Sequence, residues 1–208
     1  MTHSFLEPNT TSIKICGLTS EEHVDVAVAA GANAIGFVFV PDSPRVIERS
    51  LAERFLTQLP DEVLPVAVIQ NYSDVADFSD WPGWIQFCGE EDEQAVAASP
   101  CPVIKALQWN RSAIFDWDTC NAIEAILIDG STGGHGKMFA IDELADCVEQ
   151  LKTPIIVAGG LTPENVGAVI RKVRPSAVDV SSGVESSRGI KDASRICSFM
   201  DAALEASL

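Results

Sequence analysis

PIIVAGGLTPENVGAVIRKVRPSAVDVSSG, residues 154–183, holds one complete strand–helix–strand unit. Residues 154–158 are a continuous apolar, β-branched run, and 177–181 is a second run carrying one acid, Asp179. Continuously apolar strands are buried on both faces, as parallel sheets require. Between the runs, Thr162-Pro163-Glu164 supplies an N-cap, a proline at the first helical position and an early acid. Arg171 and Lys172 fall in the last turn, where the helix dipole favours cations.

The same alternation extends in both directions. Further strand-like runs occupy 13–16, 34–40, 65–70, 84–88, 103–107 and 125–129. Thr19-Ser20-Glu21-Glu22 opens a helix that carries Val24, Ala27 and Val28 and closes at Gly31. Ser50 and Glu53 have the spacing of a capping box before Phe55, Leu56 and Leu59. The final segment sets Ile196, Phe199, Met200, Ala203 and Leu204 on one face. The helices of the third and fifth units are poorly marked, with Trp81-Pro82 and 109–118 reading as irregular. Eight strands alternating with helices, with no linker between them, predict a single (β/α)₈ barrel. It occupies 13–208 behind an N-terminal tail, 1–12. An open doubly wound sheet is the alternative, and periodicity does not separate the two.

A chain of 208 residues suits one such domain. Hydrophobic residues make up 47% and charged residues 21%, which excludes a disordered chain. The formal charge of −16 argues against nucleic-acid and anionic-membrane partners, since both need a basic face. A small anionic ligand is still allowed, because one local site can be positive. No stretch reads as a membrane span or a signal peptide, so a cytoplasmic location is expected. The six cysteines are then reduced thiols.

Barrels carry their chemistry at the C-terminal ends of strands. Strand one ends in Lys14-Ile15-Cys16-Gly17, and strand two leads to Ser43-Pro44-Arg45. Strand four ends in Gln86-Phe87-Cys88-Gly89, strand five carries Lys105, and strand six ends at Asp129. Gly133-Gly134-His135-Gly136 follows strand six, Gly159-Gly160 follows strand seven, and Asp179-Val180-Ser181-Ser182-Gly183 closes strand eight. Glycines let backbone N–H groups approach an anion, so these loops are candidates for phosphate; they also serve plain tight turns. Cys16 is a candidate base or nucleophile, or a buried structural thiol. Asp129 is a candidate acid or a helix cap. Arg45 can pair bidentately with a carboxylate or sit solvated at the surface. Lys14 and Asp179 join the candidate substrate contacts.

These stretches, taken in order, resemble the phosphoribosylanthranilate isomerase family. The resemblance rests on Ile13-Lys14-Ile15-Cys16-Gly17, Gly36-Phe37-Val38-Phe39 with Ser43-Pro44-Arg45, Val103-Ile104-Lys105-Ala106, and Asp129 with the glycines at 133, 134 and 136. It continues through Ala158-Gly159-Gly160-Leu161-x-Pro163-Glu164-Asn165-Val166 and Asp179-Val180-Ser181-Ser182-Gly183-Val184-Glu185 with Gly189-x-Lys191-Asp192. It implies a barrel of the ribulose-phosphate-binding type and an Amadori rearrangement in tryptophan biosynthesis, with no cofactor and no metal. By resemblance Cys16 is the general base, Asp129 the general acid, and Arg45 the partner of the anthranilate carboxylate. Gly134, Gly136, Gly159, Gly160, Ser181, Ser182 and Gly183 hold the phosphate. The partner is a small phosphosugar, and the chain is a monomer or homodimer.

Three positions depart from the family pattern: Cys88 where it usually has His, His135 where it has a small hydroxyl residue, and Gln70 where it has an apolar residue. They support a second reading, a phosphosugar-binding barrel with little or no turnover. Metal-dependent epimerases on this fold want clustered histidines, but here only His3, His23 and His135 occur. Histidine-pathway isomerases use paired strand-end aspartates, and Cys16 takes the first of those places.

Overall fold

The computed structural model describes residues 5–7, 10–72, 74–130 and 141–207. Eight parallel strands close into a barrel in sequence order. They are β1 (Ser12–Cys16), β2 (Ala34–Val38), β3 (Leu64–Ile69), β4 (Trp84–Phe87), β5 (Val103–Gln108), β6 (Ala125–Asp129), β7 (Ile155–Ala158) and β8 (Ala177–Val180). Closure is made by β1 on β8, with Ser12 opposite Ala177 and Lys14 opposite Asp179. That pairing excludes the open sheet.

The helices are α1 (Glu21–Ala29), α2 (Arg49–Leu56), α3 (Glu93–Ala97), α4 (Arg111–Trp117), α5 (Ile141–Val148), α6 (Val166–Val173) and α7 (Ala193–Ala206). The third unit has a 3₁₀ turn, Val75–Phe78, in place of an α-helix. There Trp81 is buried and meets Phe37, Phe39 and Phe78 edge-on, so an aromatic cluster covers that flank of the barrel. Between β8 and α7 lie a 3₁₀ turn, Ser182–Val184, and a hairpin of β9 (Glu185–Ser187) and β10 (Ile190–Lys191).

Several local expectations hold. Ser20 caps α1 by accepting from the His23 N–H, and Gly31 follows the helix at φ +92°. Arg171 and Lys172 fall in the last turn of α6 as expected, but Thr162 and Pro163 do not open it: the helix begins at Val166 with Asn165 at the N-cap, and Thr162 to Asn165 form a turn ahead of it. The Val166 N–H bonds the Thr162 carbonyl, and the Thr162 N–H bonds Asn165 Oδ1. Others are corrected. Ser50 and Glu53 form no capping box, because α2 begins two residues earlier than that box requires, at Arg49 with Glu48 at the N-cap, and Glu53 is taken by Arg49 at 2.8 Å. Residues 111–117 are helical, since Asn110 caps them and Ile114 is buried beneath the barrel-facing side. Leu204 stands 44% exposed while Ile196, Phe199, Met200 and Ala203 are buried. Expected strand ends ran one or two residues long on several strands, as at Val40 and Ser181, where the chain turns into its loop.

The strands are buried on both faces, and they still alternate. Ala34, Val66, Val68, Ile104, Ala125, Leu127, Ile156 and Ala177 pack with Cys16 in the barrel interior. Ile13, Ile15, Ile35, Phe37, Val103, Ile126 and Val178 pack outward against the helices. Phe5 enters the interior cluster from the N-terminal end, edge-on to Trp84 at 5.7 Å. Period two therefore points Lys14, Gln86, Asp129 and Asp179 inward and Lys105 outward.

Candidate active site

The inward polar side chains sit at or beneath a cavity of about 370 Å³ at the C-terminal mouth. Gly159 and Gly160 line it at φ +83° and +69°, conformations open to glycine at little cost. Ser181, Ser182 and Gly183 line it from β8. A Cβ on Gly183 would run into the Leu161 carbonyl oxygen, so only glycine lets the two loops close together. The N–H groups of Gly160, Ser182 and Gly183 meet no protein acceptor among the described residues. The two loops thus offer a rim of backbone donors. Gly134 and Gly136, with Gly133 and His135, lie outside the described residues.

Asp129 ends β6, half-buried and facing the cavity. Its carbonyl accepts from the Trp109 N–H at 3.1 Å, which fixes the strand end beside β5. Cys16 ends β1 and is 6% exposed. Gly36 leaves room for it: a Cβ there would lie 2.8 Å from Cys16 Sγ and 3.2 Å from Lys14 Nζ. Sulfur and ammonium therefore crowd the same space. Lys14 is fully buried, and its Nζ lies 2.9 Å from Asp179 Oδ1. Burial alone would lower the Lys14 ammonium; Asp179, with Cys16 behind it, outweighs that and raises it. For the Cys16 thiol, burial is the largest influence and pushes it up, Lys14 pulls it down, Asp179 pushes it up, and Lys191 pulls it down. Burial wins, so the unliganded site keeps the thiol protonated. A cation that favours the thiolate is there in Lys14, but Asp179 shares its charge.

Arg45 lines the cavity from the loop after β2. Its stem lies across Gly17, where a Cβ would come within 2.6 Å of Arg45 Cδ. Its guanidinium already pairs bidentately with a carboxylate of this chain, Glu185, at 2.6 and 3.0 Å. Lys105, on the outward face, takes no part in the cavity. Its Nζ donates to Glu91 Oε2 at 2.9 Å and to the Gly89 carbonyl at 2.8 Å, and it lies 5.3 Å from the Trp117 ring centre. That buried pair ties β5 to the loop after β4. His23 belongs to the α1 cap, with Nδ1 2.7 Å from Ser20 Oγ.

Three further residues matter here: Gln86 stands in the sequence only as part of the strand-four end, and Glu185 and Lys191 only within the family resemblance, with no site role given to any of them. Gln86 is 4% exposed and lines the cavity, and its Oε1 has no hydrogen-bond partner among the described residues. Its Nε2 lies 3.2 Å from Cys88 Sγ. Burial is the main reason the Cys88 thiol is pushed up to about 12, so Cys88 is a neutral neighbour. A polar residue on the inward phase of an apolar strand is the signal that finds Gln86. Glu185 and Lys191 come from the β9–β10 hairpin, which a β/α repeat does not foretell.

A closed barrel with paired donor loops after β7 and β8, an acid at β6 and a thiol at β1 is the arrangement of a (β/α)₈ enzyme with its site at the C-terminal mouth. The comparisons with known proteins narrow this. Residues 13–202 match the family model described as N-(5′-phosphoribosyl)anthranilate (PRA) isomerase. The isomerase of that name from Leptothrix cholodnii is 40% identical, over 97% of this chain and 94% of the relative. A solved phosphoribosyl anthranilate isomerase from Thermotoga maritima superposes with a TM-score of 0.83 at 34% identity, covering 94% of this chain and 99% of that one. Another solved isomerase, in complex with reduced 1-(o-carboxyphenylamino)-1-deoxyribulose 5-phosphate, has a TM-score of 0.82 at 33% identity and the same coverage. This chain belongs to the N-(5′-phosphoribosyl)anthranilate isomerase family and is an isomerase.

Proposed function

We propose that Cys16 and Asp129 divide the acid–base work of an Amadori rearrangement of N-(5-phosphoribosyl)anthranilate into 1-(2-carboxyphenylamino)-1-deoxyribulose 5-phosphate. Asp129 gives a proton to the furanose ring oxygen, and the ring opens to a protonated Schiff base. Cys16 then removes the C2′ proton, and the enolamine tautomerises to the ketone. The positive charge of the Schiff base acidifies that C–H bond and favours the thiolate facing it, which offsets the burial of Cys16. One acid and one base are enough, and no step needs a cofactor or a metal.

The carrying observation is the placement of Asp129 and Cys16 on β6 and β1, separated by the donor loops of β7 and β8. Those loops, Gly159-Gly160 and Ser181-Ser182-Gly183, hold the phosphate. Arg45 stands across the mouth and holds the anthranilate carboxylate. Gly134 and Gly136 complete the phosphate set in this reading. Lys14 and Asp179 frame the base from below. The excess of cation around Arg45, Glu185 and Lys191 suits a ligand with an anion at each end, on a chain whose net charge is −16.

The ligand is a small phosphosugar, with neither nucleic acid nor membrane as partner. Among the described residues no helix is long and apolar enough to cross a membrane. We place the protein in the cytoplasm, where its six cysteines stay reduced. It acts as a monomer or homodimer; a relative from Thermotoga maritima is described as dimeric. The test is growth without tryptophan of an auxotroph lacking the isomerase. The chain is expected to restore growth, and its Cys16→Ala and Asp129→Asn variants are not. Failure of the unaltered, soluble chain to restore growth would favour the non-catalytic reading.

A further inference from the structure

The β9–β10 hairpin carries the best-bonded carboxylate at the barrel mouth. The Glu185 side chain is only 4% exposed. Its Oε1 accepts from Arg45 Nε at 2.6 Å and from Lys191 Nζ at 3.0 Å. Its Oε2 accepts from Arg45 Nη2 at 3.0 Å and from the Gly189 N–H at 3.0 Å. Gly189 is at φ +85°, and a Cβ there would come within 2.5 Å of the Pro44 carbonyl oxygen. The hairpin therefore presses directly on the loop that carries Arg45. The fully buried Lys191 ammonium also donates to the Ser181 carbonyl and hydroxyl, at 2.9 and 3.1 Å. The Ser181 hydroxyl in turn donates to the Cys16 carbonyl at 3.1 Å. One network thus joins the ends of β1 and β8 to the loop after β2.

A guanidinium has five N–H donors in a flat fork. Glu185 takes the Nε and one Nη2 hydrogen, side-on. The two Nη1 hydrogens and the second Nη2 hydrogen have no acceptor among the described residues, and Arg45 lines the cavity. That remaining edge can receive a second carboxylate end-on while Glu185 keeps the first. Ordering a long side chain before the ligand arrives lowers the entropy cost of binding.

We propose that Glu185 is a positioning residue that sets the affinity for the carboxylate end of the substrate by holding Arg45 side-on. This rests on the reading that Arg45 holds that carboxylate. The opposite geometry, in which Glu185 competes with the substrate for one edge of Arg45, predicts the opposite sign.

The test uses the full chain and two probes, a reduced N-aryl ribulose-phosphate analogue with the ortho carboxylate and the same analogue without it. Glu185→Gln keeps the size of the side chain and one acceptor oxygen. It is expected to weaken the carboxylated probe and raise KM by about 2- to 13-fold, the cost of ordering one long side chain on binding. Affinity for the uncarboxylated probe and kcat are expected to stay within about twofold of the unaltered chain. Equal weakening of both probes, or tighter binding of the carboxylated one, overturns the proposal. In an Arg45→Met background, Glu185→Gln is expected to leave the preference for the carboxylated probe where Arg45→Met put it; a further loss there also overturns it. The two readings fail differently. If Arg45 does not hold the carboxylate, Arg45→Met weakens both probes alike. If only the positioning role is wrong, Arg45→Met still removes the preference while Glu185→Gln behaves as the unaltered chain.

Discussion

The two sides of the cavity are built from opposite materials. On the β1–β2–β8 side five charged groups sit at or under the wall, and all are paired: Lys14 with Asp179, and Arg45 and Lys191 with Glu185. On the β4 side stand a protonated thiol, Cys88, and an amide oxygen with no partner among the described residues, Gln86 Oε1. A fully paired cluster is rigid and keeps a fixed field. An unpaired buried acceptor is costly until a donor meets it. One side is thus organised before the ligand arrives, and the other is completed by it. In this picture the paired side fixes the ligand's charged groups, and Gln86 meets a neutral donor such as a ribose hydroxyl or the secondary amine.

The sharpest test of the charged side is the loss of its base. Cys16→Ala, and likewise Asp129→Asn across the barrel, is expected to cut kcat by about 10²–10⁴-fold, the usual worth of a positioned acid or base. Binding of the carboxylated analogue should survive in both. Single-turnover rates close to those of the unaltered chain would remove either residue from the mechanism.

Lys14→Met leaves Asp179 buried without its partner. Breaking such a pair costs about 3–5 kcal/mol of stability, so the urea midpoint should fall steeply. A midpoint within error of the unaltered chain would mean that Asp179 finds another donor and that the pair does not frame the base.

Arg45→Met should weaken the carboxylated analogue by about 1.5–3 kcal/mol, the range for a charge-assisted hydrogen bond. That is roughly 10- to 150-fold in affinity, with little change for the uncarboxylated probe. Titration calorimetry of both probes separates the outcomes.

Acid should loosen the charged side before the other. Burial would raise the Glu185 carboxyl, but Arg45, Gly189 and Lys191 bond the charged form and hold it at about 2, below its ordinary 4.5. The folded value lies below the unfolded one. The stabilisation is therefore complete above pH 4.5 and is lost as pH falls toward about 2. Urea midpoints across that window should fall less for Glu185→Gln than for the unaltered chain. Parallel curves would show that other carboxylates govern acid unfolding.

The smallest effect belongs to the neutral side. Gln86→Met removes the orphaned oxygen with little change in volume. It should leave stability unchanged or raise it by about 1 kcal/mol, while KM rises. A large loss of stability would mean that the amide already has a structural partner.

Much of this architecture was legible along the chain. The continuous apolar runs placed all eight strands, because a strand buried on both faces leaves a simple composition signal. Helix caps were legible where one residue satisfies its own backbone, as at Ser20. They were misread at Ser50, where the first turn is set by an arginine reaching Asp80 across the fold at 2.7 Å. Helix α4 was missed because its aromatic residues are poor local formers, held in place by packing on the barrel. The strand-end rule singled out Cys16 and Asp129 and, in the loop after β2, Arg45; the fold sets Asp129 and Arg45 on the cavity and buries Cys16 at the end of β1. Gln86 was visible as the polar residue of strand four, but its place on the cavity needed the inward phase of β4.

The order of strands and helices, the acidic balance, the thiol and acid at strand ends and the glycine loops are local properties, and the sequence alone determined them. Three things were decided only in the folded chain. Closure depends on β1 meeting β8, a contact between segments about 165 residues apart. The outward turn of Lys105 depends on which phase of β5 faces the axis. The sharing of Glu185 between Arg45 and Lys191 depends on a hairpin folding back over the loop after β2. Each is a pairing between groups distant along the chain. Composition and spacing record which groups are present, but barrel geometry alone sets which of them meet.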